Sequence, residues 1–357
     1  MRSPERLCQL FGVAAISLLV ACTGTGEQAG TGGGAGTGGT SGTGGTPGTG
    51  GTGTGTGGSG SGGIVATGGS DAGSTDSAMS SGEAGVPDGG GDGRAAVMAS
   101  AGCDKMPAQA LASYIRQNVM GQNRVYDLYI PDGYQPSRAY PVIFVDHGCD
   151  GSIPFSTGNN SMQKVTQGNA ILVALRAASS RPPYGGGCFN TGPGSASLAE
   201  VPYFDEVLKE VGSSYCVDQA RVFMVGFSSG SWLTNLLGCV RAGVIRAQGN
   251  STGGLPSVPK TCAGPIAAMM VHDMQDPQNS YAGGIIARDR ILAINGCSMT
   301  DSVEYRYDGN PATQPVCQAF QGCKSGYPVV WCPTMNRGHV DQVPITTIGL
   351  WRFWSQF

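Results

Sequence analysis

Residues 221–240, RVFMVGFSSGSWLTNLLGCV, pass from an unbroken apolar run into a helical stripe through one Gly-x-Ser-x-Gly. An apolar run of this kind reads as a strand covered on both faces, which requires helices on both sides of its sheet. Behind it, Leu233, Leu236, Leu237 and Val240 fall at i, i+3, i+4 and i+7, the spacing of one helix face. The chain must turn sharply between the two, and Gly226 and Gly230 let backbones pass closely there. Gly makes up 61 of the 357 residues, so the bare pattern is expected about once by chance. Its place at a strand-to-helix junction, not its spelling, marks Ser228 as a candidate nucleophile. Such a turn exposes the hydroxyl above the sheet edge, and the helix N-terminus aims free N–H groups and a positive dipole end at it.

The same alternation runs through the chain. RVYDLYIP (124–131) alternates like a strand with one wet face, and PVIFVDHG (141–148), AILVALR (170–176), PIAAMMVHD (265–273) and YPVVWC (327–332) are unbroken apolar runs. Leu198, Val201, Phe204, Leu208 and Val211 recur near helical spacing. Together these predict an α/β fold, a mainly parallel sheet with helices on both faces, and active residues at strand C-termini.

A strand, an elbow and a helix in this order match the nucleophile elbow of the α/β-hydrolase fold, whose catalytic order along the chain is Ser, acid, His. A serine hydroxyl is a weak nucleophile until a base takes its proton. The chain has 3 His. Only His339, in the polar loop MNRGHVDQ, lies far enough beyond Ser228 to leave room for an acid between them. The loop after PIAAMMVHD offers Asp273 and Asp276 as that acid, which would hold the imidazole tautomer and stabilise the imidazolium. The Ser229 N–H, directly after the nucleophile, is one expected oxyanion donor. HGCDG (147–151) supplies the other: Gly148 permits a tight turn and the Cys149 N–H can face the site, with His147 holding the loop.

The ends bound the rest. Arg2 and Arg6 precede an apolar stretch, Leu10 to Ala21, that is short for a membrane span and reads as a signal-peptide core. Leu19-Val20-Ala21-Cys22 resembles a bacterial lipobox, with Cys22 the lipidated new N-terminus. Residues 23–94 are nearly all Gly, Thr, Ser and Ala and have little to bury, so they read as a disordered tether. Its r.m.s. reach would be roughly 45–50 Å. The expected division is therefore a signal peptide at 1–21, the lipidated Cys and tether at 22–100, and one domain at 101–357. The expected location is the cell surface or beyond. A net charge of −3 with no basic run points away from nucleic acid. Setting aside Cys8 and Cys22, ten of the 12 Cys remain: 103, 149, 188, 216, 239, 262, 297, 317, 323 and 332. An even set behind an export signal reads as disulfides, and none has zinc-site spacing with His, so no metal is expected.

From about Ala101 onward the chain resembles carbohydrate esterase family 1, the α/β-hydrolases that include feruloyl esterases, acetylxylan esterases and polyhydroxybutyrate-depolymerase-like enzymes. The resemblance is carried by YDLYIPDGYQPSRAYPVIFVDHGC, CVDQARVFMVGFSSGS, HDMQDPQNSYAGG and GCKSGYPVVWC with its following GHVDQ and WRFWSQF. The lead VDQARV and the ending GYPVVW with Gly338-His339 are most similar to feruloyl esterases. Depolymerase-like members more often carry Trp soon after Gly-His, where this chain has Val340-Asp341. The family's acid stretch, His-Gly-x-x-Asp, maps onto His272 to Asp276, with Asp273 in place of the Gly. The resemblance thus implies Ser228 as nucleophile, Asp276 as acid and His339 as base, with two-step acyl transfer and no cofactor. It implies feruloylated plant cell-wall polysaccharide as substrate, with acetylated xylan or a polyester as alternatives. A retired scaffold serving as a surface binding lipoprotein is the rival from another class. Tyr184, Phe189, Trp232 and Trp331 could line an acyl pocket or pack in the core, and none is assigned a binding role.

Overall fold

The computed structural model describes residues 96–357 apart from 107–114, 120–121, 153–159, 179–186, 193–198 and 257–260. The expected signal peptide, Cys22 and most of the tether lie outside the described residues, as does Tyr184.

Ten strands form one sheet in the order β1-β2-β4-β3-β5-β6-β7-β10-β9-β8. The six central strands are β4 (Ile171–Leu175), β3 (Tyr140–Asp146), β5 (Val217–Phe227), β6 (Ala247–Ser251), β7 (Ala267–Asp273) and β10 (Val329–Thr334), all parallel. Antiparallel strands finish both edges: β1 (Ile115–Val119) and β2 (Gln122–Tyr129) on one side, β8 (Ser302–Tyr305) and β9 (Cys317–Phe320) on the other. This is the α/β-hydrolase fold with its mainly parallel sheet, as the sequence predicts.

Strand pleat explains the double apolar signal. Val142, Phe144, Val222 and Met224 face helices α2 (Glu200–Ser214) and α3 (Ser229–Val240), meeting Phe204, Val207, Leu233 and Leu237. Their neighbours Ile143, Val145, Phe223 and Val225 point the other way, into a core closed by a π-turn (Ile345–Gly349) and the C-terminal helix, which we label α5 (Leu350–Trp354). There the Phe223 and Trp354 rings stack at 5.1 Å. Helix α4 (Tyr281–Asn295) covers β7 and β10 through Ala287, Ile291 and Leu292. A single turn, α1 (Met162–Val165), adds the buried Met162 to the second core. Each large apolar side chain so buried stabilises the fold by about 1.5–3 kcal/mol.

β6 carries no apolar run, yet it sits in the middle of the sheet. Its inward groups are amides that hydrogen-bond to one another beneath α3, with Gln248 Oε1 alone among their side-chain atoms lacking a partner among the described residues. Gln248 Nε2 donates to Asn235 Oδ1 at 3.0 Å and to Asn250 Oδ1 at 2.9 Å, Asn250 Nδ2 donates to Asn235 Oδ1 at 3.0 Å, and Asn235 Nδ2 donates to Gly254 O at 2.8 Å. Buried polar groups are tolerated when they are paired in this way.

All ten cysteines of the described chain are joined: 103–216, 149–188, 239–262, 297–323 and 317–332. The 103–216 bond holds the incoming chain against the start of β5, where the Ser100 N–H donates to Val217 O at 2.9 Å and Ala99 bridges Asp218. That end of β5 is opposite Ser228, which follows the strand's last residue.

Asp146, the last residue of β3, is fully buried against α3. Burial, and then the neighbouring Glu200 carboxylate, raise its pKa well above the usual range, which favours the protonated acid in the fold. In the unfolded chain an aspartate ionises near about 3.9. Above that pH the unfolded state sheds a proton that the folded state retains, so this residue makes stability fall as pH rises. Asp146→Asn removes that slope. Its melting temperature relative to wild type should rise between pH 4 and pH 7; a difference that does not change with pH contradicts the neutral acid.

Candidate active site

Ser228 stands between the last residue of β5 and the first of α3 with φ 52° and ψ −116°. A positive φ at a side chain other than Gly is costly and persists only where the surroundings enforce it. Two glycines and a strand enforce it here. A Cβ on Gly226 would overlap the backbone of Gly230, and a Cβ on Gly230 would overlap the Asp146 carbonyl. The Ser228 N–H is tied to Ser251 O of β6 at 3.0 Å. The helix therefore starts pressed against the ends of three parallel strands, and the serine side chain is pushed up from them.

His339 reaches that hydroxyl from the loop after β10. Its Nε2 lies 2.9 Å from Ser228 Oγ, and its Nδ1 lies 2.8 Å and 3.0 Å from the two carboxylate oxygens of Asp276. Both the Asp276 side chain and the imidazole are buried, and the Phe227 ring sits 5.1 Å from the imidazole. Asp276 Oδ1 also accepts the Gln278 N–H at 2.8 Å and the Asn279 N–H at 2.9 Å, which aims the carboxylate at Nδ1. The structure thus brings together Ser228, His339 and Asp276, the last being the one of the two candidate acids that the resemblance favours and the one that meets Nδ1. With Nδ1 donating to the acid, Nε2 is left as the acceptor that a general base needs.

The other two histidines are spoken for. His147 is buried, which lowers its pKa. Its Nε2 accepts the Ala177 N–H at 3.1 Å while its Nδ1–H donates to Gly148 O at 2.5 Å. The Gly151 N–H and this imidazole both engage the Gly148 carbonyl. A trans peptide points its C=O and N–H in opposite directions, so these bonds also orient the Cys149 N–H. Arg176 holds the same loop through a hydrogen bond to Gly151 O. A Cβ on Gly148 would lie 3.4 Å from the Ser228 Cβ, so the loop passes directly beside the nucleophile. Among the described residues, neither the Cys149 N–H nor the Ser229 N–H has a hydrogen-bond acceptor. His272 is also buried with a lowered pKa, and its Nε2–H donates to Asn279 O at 2.9 Å beneath the acid loop.

Asp273 does something the sequence did not reveal. Its carboxylate accepts the Gln275 N–H, the Thr334 hydroxyl and the Arg337 N–H, each at 3.0 Å. One buried side chain therefore braces the loop carrying Asp276 against the loop carrying His339. No signal short of the fold could have shown this, because Thr334 and Arg337 lie some sixty residues away: 61 for the first and 64 for the second. Of the aromatics, Phe189 is buried with its ring 4.7 Å from that of His147, and Trp331 packs in the core with Tyr281 and His272.

Burial opposes ionisation of Asp273, but the hydrogen bonds from Arg337, Gln275 and Thr334 outweigh it and hold its pKa below the usual range. An acid of depressed pKa stabilises the fold above its unfolded value of about 3.9, and that contribution is lost as pH falls through the folded value. Asp273→Asn should thus cost stability at pH 7 by about 1–3 kcal/mol. The deficit should narrow below about pH 4. Urea unfolding at both pH values checks this; an equal deficit at both contradicts a charged brace.

No family model matches the chain. Among curated proteins, feruloyl esterase C of Emericella nidulans is 33% identical over 233 residues, spanning 63% of this chain and 78% of that protein. Feruloyl esterase D of Neurospora crassa is 28% identical over 285 residues, 74% of this chain and 92% of the relative. Among solved structures, acetyl xylan esterase from Aspergillus awamori superimposes with a TM-score of 0.53 at 13% identity, over 69% of this chain and 100% of that one, a likeness of fold alone. With the elbow, the parallel sheet and a relative of this identity and coverage, the chain belongs to the feruloyl esterases of carbohydrate esterase family 1.

Proposed function

We propose that this protein hydrolyses feruloyl esters of plant cell-wall polysaccharide, using Ser228 as nucleophile, His339 as base and Asp276 as the acid that orients it. The observation that carries the reading is the continuous line of hydrogen bonds from Asp276 through His339 to Ser228 Oγ, at 2.8 Å and 2.9 Å. As Ser228 Oγ attacks the ester carbonyl, its proton passes to His339 Nε2, and Asp276 stabilises the imidazolium. The carbonyl oxygen takes up the electron pair and is held by the N–H groups of Cys149 and Ser229. Collapse of the tetrahedral adduct breaks the ester bond, and the alcohol leaves with the proton from Nε2. Water then repeats the sequence on the acyl-enzyme, releasing the acid and restoring Ser228.

Export supports this reading, since five disulfides suit an oxidising compartment. We place the signal peptide at 1–21, an acyl anchor on Cys22, a tether at 22–100 and the catalytic domain at 101–357. No helix among the described residues is long and apolar enough to cross a membrane.

The test is hydrolysis of methyl ferulate, acetylated xylan and hydroxybutyrate oligomers by the full chain and by Ser228→Ala. The reading predicts ferulate as the fastest substrate and a kcat lower by a factor on the order of 10⁴–10⁶ in the variant. Faster turnover of acetyl or hydroxybutyrate esters would reassign the substrate, and substantial residual turnover in Ser228→Ala would remove the nucleophile.

A further inference from the structure

An elbow fixes the residue after its nucleophile, but the second oxyanion donor sits on a separate loop, and something must hold the two N–H groups at a working distance. Here the side chains of both donor residues are gripped by one dipeptide. Cys149 is bonded through its sulfur to Cys188. The next residue, Phe189, donates its backbone N–H to Ser229 Oγ at 2.7 Å in a buried bond. The path from one donor to the other is therefore a disulfide, one peptide unit and one hydrogen bond, independent of the β-sheet.

The dipeptide is itself anchored. The Phe189 ring packs 4.7 Å from that of His147, the residue that orients the Gly148–Cys149 peptide. The following Asn190 N–H donates to Glu200 Oε1 at 3.2 Å, and Glu200 is locked by Arg124 at 2.7 Å in the core. Because Phe189 is buried, its N–H has no access to solvent and loses its acceptor outright if Ser229 Oγ is removed.

We propose that Cys188–Phe189 is a clamp that sets the spacing of the Cys149 and Ser229 N–H groups, making Cys188, Phe189 and the Ser229 hydroxyl positioning residues for the oxyanion. The inference rests on the esterase reading of the same site. The clamp acts where negative charge develops, so it matters in the transition state and little in ground-state binding. A misplacement near 1 Å in such a site costs about 10²-fold in rate.

Two variants break the clamp while leaving both N–H groups in place: Ser229→Ala, which removes one hydroxyl, and the paired Cys149→Ser/Cys188→Ser. Methyl ferulate kinetics are measured on the full chain, together with inhibition by phenylboronic acid, whose serine adduct puts an anionic oxygen in the oxyanion site. The clamp predicts kcat lower by about 10- to 100-fold in each variant. It also predicts a boronate inhibition constant raised by a similar factor, KM within about twofold, and an unchanged pH inflection of kcat/KM. Combining all three substitutions should cost less than the product of the separate effects, because both ties serve one element. Should Ser229→Ala keep kcat and boronate affinity within twofold of wild type, or should KM rise with kcat intact, the clamp is wrong and the esterase stands. A wild-type chain that neither turns over esters nor binds the boronate would overturn the esterase reading and the clamp with it.

Discussion

Gly226 and Gly230 face each other across the turn at Ser228, and Gly230 in turn rests on the carbonyl of Asp146 at the end of β3. Neither contact leaves room for a side chain. That backbone packing forces Ser228 into positive φ, starts α3 against the sheet and brings the Gly148–Cys149 loop beside the nucleophile, because this loop leaves β3 at Asp146. The strain costs of order 1–3 kcal/mol. It is offset by the parallel strands on either side, which the two apolar cores hold in place.

Three aspartates at the ends of the strands then serve different purposes through their surroundings. Asp146 is buried against α3 near the Glu200 carboxylate, and both burial and that neighbour raise its pKa and favour the protonated acid. Asp273 collects hydrogen bonds from two backbone N–H groups and a hydroxyl, stays charged and ties two loops together. Asp276, three residues on, spends its oxygens on His339 and on two backbone donors of its own turn. Division of labour among like groups by burial and hydrogen bonding is a general means of placing charge in a site.

Much of this was legible in the chain because burial on both faces leaves a plain mark. β3, β4, β7 and β10, and the second half of β5, carry unbroken apolar runs, and the elbow helix shows its stripe. β6 was not legible, since AQGNS buries amides whose partners, Asn235 and Gly254, are visible only once α3 and the following loop are folded over it. The edge strands β8 and β9 were lost for the opposite reason: in SVEY the middle residues are exposed, and the pair is secured by disulfides whose partners spacing cannot reveal. The candidate triad was readable from chain order and three histidines. The choice between Asp273 and Asp276 needed the resemblance at first, and the geometry gives the physical reason: only Asp276 meets Nδ1. Cys188 gave no hint beyond its parity, and Phe189 could equally line a pocket or pack in the core, whereas it is buried and its backbone N–H donates to Ser229 Oγ.

In the proposed mechanism Ser228 is the one activated serine, and His339 is the group that activates it. Treating the full chain with a serine-directed aryl phosphonate and mapping the adduct by peptide mass spectrometry tests this most directly. The expected result is one adduct per chain, on Ser228, and none at the same exposure in His339→Ala. An adduct on another residue, no adduct in wild type, or undiminished labelling in His339→Ala would contradict it.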